Sequence, residues 1–239
     1  MWLPGQGRSR FGFTVNYQFD WEPILESRAL ILEGLATTIL LSLCALALAS
    51  IIGVIVGTLA SSRHKGARLG AAAIVELTRN IPLLIHMYIW YVGLAFLRLP
   101  PFLCGVLGLS VYSGAYVAEI VRAGIASVPD GQNKAALATG LTRLQALLLV
   151  VYPQALRIVA PSLGNVFSQL IKDSSLASAI AVMELTYQAS AIEGQTFRTF
   201  EIYITICALY LLLVSAVTLA LRLLAGPRDD APAQELASA

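Results

Sequence analysis

The sequence is poor in charge for its length. Of its 239 residues only 13% are charged and 57% are hydrophobic, and the mean hydropathy is +0.75. A soluble domain carries about a quarter of its residues as charged ones, because it needs a polar surface. The net charge of +2 is too small a surplus to indicate nucleic-acid binding, so no nucleic acid is expected as a partner. The composition indicates an integral membrane protein.

Residues that build metal, redox or nucleophilic sites are also scarce. Cys44, Cys104 and Cys207 each lie alone in an apolar run without CxxC spacing, so we expect them to be packing residues. The histidines are His64 and His86, and neither HExxH nor GxSxG occurs, which argues against a membrane-embedded enzyme. A GxxxxGK[ST] phosphate loop is absent as well, so we expect no metal and no cofactor on this chain.

Uncharged runs define the expected membrane spans: 34–62, 80–97, 99–118, 158–171 and 202–221. A helix needs about 20 residues to cross a bilayer. The second run is expected to extend backwards through 71–75 and to kink near Pro82. The fourth is short for a full crossing and is followed by Lys172 and Asp173, so that either the span stops early or these charges lie at membrane depth. The sequence predicts an all-α membrane protein with about five transmembrane helices.

The runs also suggest how the chain is organised. Residues 1–28 are an aromatic lead-in, residues 29–225 form a single transmembrane domain, and residues 226–239 are a polar tail that we expect to be disordered. Residues 185–201 look polar and turn-like. In the first span, two glycines have the GxxxG spacing of a close-packing helix face. They are Gly53 and Gly57.

Basic residues are concentrated at alternate ends of the spans. The loop after the first span holds Arg63, Lys65 and Arg68, whereas the loop after the second span holds Arg98. By the positive-inside bias, the first of these loops and the C-terminus lie in the cytoplasm and the N-terminus lies outside.

Residues 127–153 are the segment that apolar burial does not explain, and we call them the two-helix loop. Asp130 or Ser127 is placed to cap a short helix over 132–139. Small side chains along this helix permit a close approach to another backbone, so the loop suits a groove on a partner protein.

Two further sequence features mark the end of the first helix of the two-helix loop and the start of the second. Gly140 can adopt the left-handed conformation that ends the first helix. Residues 142–145 have the spacing of a capping box that begins a second helix, and Pro153 limits how far that helix runs unbroken.

The two-helix loop resembles the EAA loop of ATP-binding-cassette importer permeases. That pattern is Glu-Ala-Ala, three residues, Gly, nine residues and Ile-x-Leu-Pro, and the same spacing joins residues 134–136, Gly140 and residues 150–153. The departures are Lys134 for Glu, Val150 for Ile and Tyr152 for Leu. Other segments resemble the polar-amino-acid branch of that family: 79–84, 119–125, 127–129, 153–155 and 172–176.

The resemblance implies a transporter divided among subunits in the bacterial cytoplasmic (inner) membrane. Its partners would be ATP-binding-cassette ATPase subunits, a second permease in a homo- or heterodimer, an external solute-binding protein, an amino-acid substrate and membrane lipid. ATP and Mg would bind the ATPase subunits rather than this chain. The two-helix loop would couple the ATPase to the spans through Lys134, Ala135, Ala136, Leu137, Gly140 and Arg143.

Ionisable groups at membrane depth are costly and are candidates for the substrate pathway. We expect a water-filled site lined by His86, Lys172, Asp173, Ser174 and Glu184. Structural alternatives stay open: His86 can bond a carbonyl of a neighbouring helix, and Lys172 can pair with Asp173. Glu76 and Arg79, three residues apart, can pair on one helix face, and we favour a structural ion pair over a role in binding substrate.

The substrate is expected to be a polar amino acid. Residues 79–82 and 184–188 resemble permeases for acidic amino acids, glutamate and aspartate. An ion-coupled secondary transporter of amino acids is the alternative, although the repeat of spans expected for one is not evident.

Overall fold

The structure is a computed structural model that describes residues 17–225, and this part of the chain is helical without a strand. Its α-helices are α1 Glu22–Glu26, α2 Arg28–Ala60, α3 Lys65–Asn80, α4 Leu83–Tyr88, α5 Pro101–Ser127, α6 Asp130–Ala138, α7 Arg143–Ala146, α8 Tyr152–Asp173, α9 Leu185–Thr196 and α10 Thr199–Ala225. Wider π-helical turns span Ile89–Gly93 and Leu147–Val151, and 3₁₀ turns span Ala95–Leu97 and Ser174–Ile180. The predicted all-α class is confirmed.

Four helical segments are long and apolar enough to cross a membrane: Arg28–Ala60, Pro101–Ser127, Arg143–Ile180 and Thr199–Leu221. A shorter apolar segment, Leu83–Gly93, lies between the first two. It is the second half of the predicted second span, and the chain breaks at Ile81 and Pro82 as the proline predicts. The prediction of about five spans is confirmed.

Of the two alternatives for the fourth span, an early stop is wrong. Helical structure is continuous from Arg143 to Ile180, and α8 begins at Tyr152 rather than at residue 158. Pro153 does not stop this helix, because it lies in the first turn of α8, where its missing N–H costs little. Arg157 therefore lies inside a helix that is long enough to cross the bilayer.

The expectation that residues 185–201 are turn-like is also wrong, because α9 occupies most of them. Glu184 caps α9 by accepting hydrogen bonds from the backbone N–H of Thr186 at 3.0 Å and of Tyr187 at 2.8 Å. The apolar residues of α9 are few, yet they fall on one face at a spacing of three and four. They are Leu185, Ala189 and Ile192, which are all buried.

Helix α5 is the centre of the fold and contacts α2, α3, α4 and α8. It is rich in small buried residues, and in a bilayer such residues let neighbouring backbones come close. The main core cluster joins Leu109 of α5 to Leu41 of α2, Met87 of α4, Leu170 of α8 and Ile180.

The predicted close packing at Gly53 and Gly57 is present. A Cβ atom built on Gly57 would lie 2.5 Å from the carbonyl oxygen of Ala118, and one on Gly53 would overlap the side chain of Val117. Contacts this short are not tolerated, so glycine at these two positions allows α2 to lie against α5.

Residues 17–20, the described end of the predicted lead-in, attach to the start of α10. The Tyr17 hydroxyl bonds the buried carboxylate of Glu201, and this hydrogen bond raises the pKa of Tyr17 above its ordinary value. The backbone N–H of Asp20 donates to the same carboxylate at 2.9 Å, and Arg198 forms an ion pair with Asp20 at 3.3 Å. The predicted tail, residues 226–239, lies outside the described residues.

The prediction that the cysteines pack holds for Cys104 only. Cys104 is buried, whereas Cys44 and Cys207 are exposed on this chain.

Candidate functional site

The two-helix loop has the architecture that its sequence predicts. Helix α6 is followed by Gly140 with φ of +89°, a conformation that glycine adopts without steric cost. Helix α7 begins with a complete capping box: the backbone N–H of Gln145 donates to the Thr142 hydroxyl at 3.3 Å, and the Thr142 N–H donates to the Gln145 side chain at 2.9 Å. The left-handed glycine after α6 and the capping box of α7 therefore define the turn between the two helices.

The predicted cap of the first helix is wrong. Helix α6 begins at Asp130 rather than at residue 132, and its N-cap is Pro129 without a side-chain hydrogen bond. Ser127 instead donates to the carbonyl of Gly124 within α5, at 2.8 Å. Asp130 lies in the first turn, where its negative charge still favours the helix dipole.

The two-helix loop rests on the ends of α5 and α8. Val128, Val151 and Ala155 form a buried cluster, and a Cβ on Gly124 would lie 2.7 Å from Val159 of α8. Well-packed contacts transmit displacement because they deform little. A force on the loop therefore reaches two membrane helices directly.

The residues predicted for coupling differ in exposure. Lys134, Ala135, Gly140 and Arg143 are exposed and Leu137 is half-buried, so they lie on the outer surface of the loop. Ala136 is buried and packs inward. A methyl group is the side chain that fits this inward position of the Lys-Ala-Ala sequence.

Between α7 and α8 the hydrogen bonding widens into a π-helical turn over Leu147–Val151. Pro153 has no N–H for the carbonyl four residues earlier, and a π-turn changes which donor each carbonyl receives. The predicted interruption near Pro153 thus occurs as a local widening, without a break in the chain direction.

His86 fills a gap that the proline leaves. The carbonyl of Thr78 would accept from residue 82 in a continuous helix, but Pro82 has no N–H. The Nε2 atom of His86 lies 3.1 Å from that carbonyl oxygen, and the N–H of Ile81 lies 3.4 Å from it. His86 is buried, so the carbonyl-bonding alternative of the sequence analysis is present in the structure.

The predicted ion pair between Glu76 and Arg79 is wrong. The guanidinium carbon of Arg79 lies 5.0 Å from the ring centre of Tyr116, in a cation–π contact with α5. Within the described chain Arg79 has no carboxylate at ion-pair distance. The ring of Tyr116 on α5 is therefore the partner of Arg79, in place of the Glu76 carboxylate on the same helix.

Arg79 and Tyr116 border a cavity of about 610 Å³ between α3, α5 and the end of α2. Its charged lining residues are Arg68, Glu76, Arg79, Glu119 and Arg122. Arg122 donates to Glu119 at 2.5 Å and 3.1 Å, so these two charges compensate each other. The remaining guanidinium groups and the Glu76 carboxylate are exposed to the cavity and available to a ligand.

A row of aromatic side chains joins this cavity to His86. The hydroxyls of Tyr112 and Tyr116 lie 3.2 Å apart, and the Tyr112 ring centre is 5.9 Å from that of His86. These aromatic residues were missed in the sequence, although their spacing of four residues places them on one face of α5.

The residues predicted at the end of the fourth span separate into two groups. Lys172 is exposed and Asp173 is half-buried, and Asp173 accepts a hydrogen bond from Gln169 at 2.8 Å. Ser174 is fully buried and donates to the carbonyl of Ile171 at 2.7 Å. Within the described part of the chain, no ion pair joins Lys172 to Asp173.

Glu184 is the most enclosed of the predicted pathway residues. Its carboxylate is fully buried and accepts from the Tyr210 hydroxyl at 2.8 Å, in addition to the α9 backbone. Thr38 of α2 is also part of this cluster, because its hydroxyl accepts from the N–H of Leu185 at 3.0 Å. These bonds connect α2, α9 and α10 and satisfy the hydrogen-bonding capacity of the buried carboxyl group without a ligand.

Comparisons with known proteins agree on one family. Residues 49–228 match the family described as binding-protein-dependent transport system inner membrane component. The probable glutamine ABC transporter permease protein GlnM of Bacillus subtilis (strain 168) is 39% identical over 192 residues, which cover 80% of this chain and 89% of that protein. The glutamine transport system permease protein GlnP of Escherichia coli (strain K12) is 36% identical over 209 residues, covering 86% and 95%.

Solved structures agree with the sequence relatives. The crystal structure of an amino acid ABC transporter with histidines has a TM-score of 0.79 at 35% identity, over 87% of this chain and 99% of that one. An inward-facing structure of the MetNI methionine ABC transporter has a TM-score of 0.75 at 21% identity, over 84% and 96%, and shares the fold.

Proposed function

This chain belongs to the family of binding-protein-dependent transport system inner membrane components, and we propose that it is the permease subunit of an ATP-binding-cassette importer for a polar amino acid. It is a multi-pass inner-membrane protein and not an enzyme. The observation that carries the proposal is the two-helix loop, which packs on α5 and α8 through a buried cluster at its ends, where a coupling element of such a permease is needed. Two amino-acid permeases at 36% identity or more support the substrate class.

Such a transporter places ATP hydrolysis, translocation and substrate capture on separate subunits, and this implies the partners of the chain. ATPase subunits carry ATP and Mg, and they bind the exposed side of the two-helix loop through Lys134, Ala135, Leu137 and Arg143. A second permease and an external solute-binding protein complete the pathway. Closure of the ATPase pair displaces the two-helix loop, and α5 and α8 tilt between inward-open and outward-open arrangements. Gly140 adopts the left-handed conformation that joins α6 to α7, so the displacement reaches both helices.

The substrate pathway runs along the aromatic row and the charged cavity. Arg79, Lys172 and Asp173 present both signs of charge to a zwitterion. His86, Ser174 and Glu184 belong to the pathway as residues that hold its shape, since their polar atoms are bonded within the chain.

Charge in the cavity favours an acidic substrate over its amide. Arg68 and Arg79 have no ion-pair partner among the described residues, and Glu76 is the single unpaired carboxylate in the lining. Two positive groups and one negative group complement the two carboxylates and one ammonium of glutamate or aspartate. Glutamine, which is named for both relatives, would leave one guanidinium unpaired.

Transport by the reconstituted complex tests the function. The chain, purified with its ATPase subunits and binding protein in liposomes, should accumulate labelled glutamate only with ATP inside, and vanadate should stop it. An ionophore that collapses ion gradients should have no effect. Uptake that follows the ion gradient and ignores ATP would identify the ion-coupled alternative instead.

Competition and substitution test the substrate and the pathway. Unlabelled glutamate should compete better than glutamine, and Arg79→Gln should raise the KM for glutamate more than that for glutamine. Arg28→Gln removes another exposed charge, at the start of α2, and is the matched control. Equal KM changes for both substrates would show that Arg79 does not bind the second carboxylate.

A further inference from the structure

An apolar groove of about 620 Å³ runs between the end of α2 and the start of the fourth membrane segment. Its walls are aliphatic on both sides: Val54, Ile55 and Leu59 from α2, and Leu144, Leu148 and Leu156 opposite. Several of these side chains are more than half exposed on this chain, including Ile55 at 55% and Leu148 at 52%. Both walls belong to segments long and apolar enough to cross a membrane, so the groove opens sideways towards lipid.

The polar groups in the groove already have hydrogen-bond partners within the chain. The Thr58 hydroxyl bonds the Tyr152 hydroxyl, and Thr58 also lies at hydrogen-bond distance from the carbonyl of Val54, 2.5 Å away. A peptide ligand would bury its own backbone N–H and C=O groups here without partners, which costs several kcal/mol each in an apolar environment. A hydrocarbon chain has no hydrogen-bonding groups, so its burial in the groove carries no such cost.

Basic residues lie next to both walls of this groove in the sequence. Arg63 and Lys65 follow α2 within six residues of Leu59, and Arg143 directly precedes Leu144. All three are exposed, and none of them forms an ion pair within the described chain. Residues 54–65 and 143–157, which form both walls and their ends, contain no Asp or Glu.

We propose that this groove is a binding site for one acidic phospholipid, with an acyl chain between α2 and α8 and the phosphate against Arg63 and Lys65, the basic residues that follow α2. Basic pockets between membrane helices recognise acidic headgroups in this way. The acyl chain contacts both the end of α2 and residues 144–156, and so supports the two-helix loop from the membrane side. This inference stands independently of which substrate the transporter carries.

Native mass spectrometry of the purified transporter complex tests the site, with the detergent-solubilised protein titrated with phosphatidylglycerol or with phosphatidylcholine. We expect one phosphatidylglycerol per copy of this chain, bound at least tenfold more tightly than phosphatidylcholine. Arg63→Gln combined with Lys65→Gln should weaken phosphatidylglycerol binding about 30-fold, or about 2 kcal/mol at 1.4 kcal/mol per factor of ten, and leave phosphatidylcholine unchanged. The charge-matched control is Arg28→Gln combined with Arg98→Gln, two exposed arginines far from the groove in sequence.

A second variant tests the acyl-chain position. Leu148→Trp fills the groove with a larger ring and should weaken both lipids, whereas Leu77→Trp, at a 66% exposed position of α3, should weaken neither. Equal binding of the two lipids, or equal behaviour of the charge variant and its control, would overturn the proposal. A disulfide between two copies carrying Leu148→Cys would overturn it too, because a second copy would then cover the groove.

Discussion

The Nε2 atom of His86 lies 3.1 Å from the carbonyl oxygen of Thr78, the acceptor that Pro82 deprives of its helical donor. The side chain of one helix thus completes the hydrogen bonding of the helix before it. This relationship explains why an ionisable residue is buried in an otherwise apolar segment, and it fixes the angle at which α4 leaves α3.

His86→Leu should lower the free energy of unfolding by about 1 kcal/mol, because a neutral hydrogen bond contributes about that much. His86→Gln keeps a side-chain N–H donor and should lose less. Thermal inactivation of the purified complex measures both, with Ile85→Leu at a 47% exposed position as the control. If His86→Leu matches the wild type in stability but alters the KM for import, His86 contacts the substrate instead.

Gly57→Ala should destabilise the protein by about 1 to 3 kcal/mol, the usual cost of overpacking. The new methyl group would lie 2.5 Å from the Ala118 carbonyl oxygen, and backbone cannot rotate away as a side chain can. Gly70→Ala is the control, because nothing lies within 4 Å of its added Cβ and alanine favours a helix interior over glycine. The same inactivation temperature for the two variants would contradict the close packing of α2 on α5.

Tyr210→Phe should cost about 1.5 to 3 kcal/mol of stability, since it removes one hydrogen bond to the buried carboxylate of Glu184. Glu184→Ala should cost more, because the α9 backbone loses its cap as well. Thermal inactivation ranks the two variants against the wild type. A stable Glu184→Ala protein with altered substrate preference would assign this residue to the substrate rather than to the fold.

Gly140→Val should abolish import while the chain still inserts into the membrane. The left-handed region costs a residue with a Cβ about 1 to 2 kcal/mol, and a β-branched residue more, although the added Cβ meets nothing within 4 Å. Gly140→Asn is the matched variant, because Asn tolerates positive φ, and it should import nearly normally. Immunoblots of membrane fractions measure insertion, and uptake assays measure coupled transport. Normal import by Gly140→Val would refute the coupling role.

Single cysteines in a Cys-free variant test the orientation. Cysteine at Ser62 or Gln132 should react with a membrane-impermeant thiol reagent only after the cells are permeabilised. Cysteine at Phe96, which is 75% exposed in the turn between the second and third spans, should react in intact cells. Reaction of the first two sites in intact cells would reverse the predicted topology.

Several features were determined by the sequence alone because they depend on neighbouring residues. Composition and uncharged runs determine the membrane class, since a bilayer has a fixed thickness. The turn at Gly140 and the capping box at Thr142 are local backbone chemistry, and both occur as predicted. The spacing of Gly53 and Gly57 likewise predicted a face that packs closely.

Tertiary structure decided the partners of the polar residues. Arg79 contacts the ring of Tyr116 rather than Glu76, and Glu184 is hydrogen-bonded to Tyr210 and to the α9 backbone. Packing between helices brings each of these partners close, and spacing in the sequence does not indicate them. The length of the fourth segment was decided in the same way. Tyr152 is hydrogen-bonded to Thr58 on α2, and Ala155 is buried against the end of α5. These contacts with other helices support helical structure in a stretch where Pro153 and Arg157 had predicted an interruption.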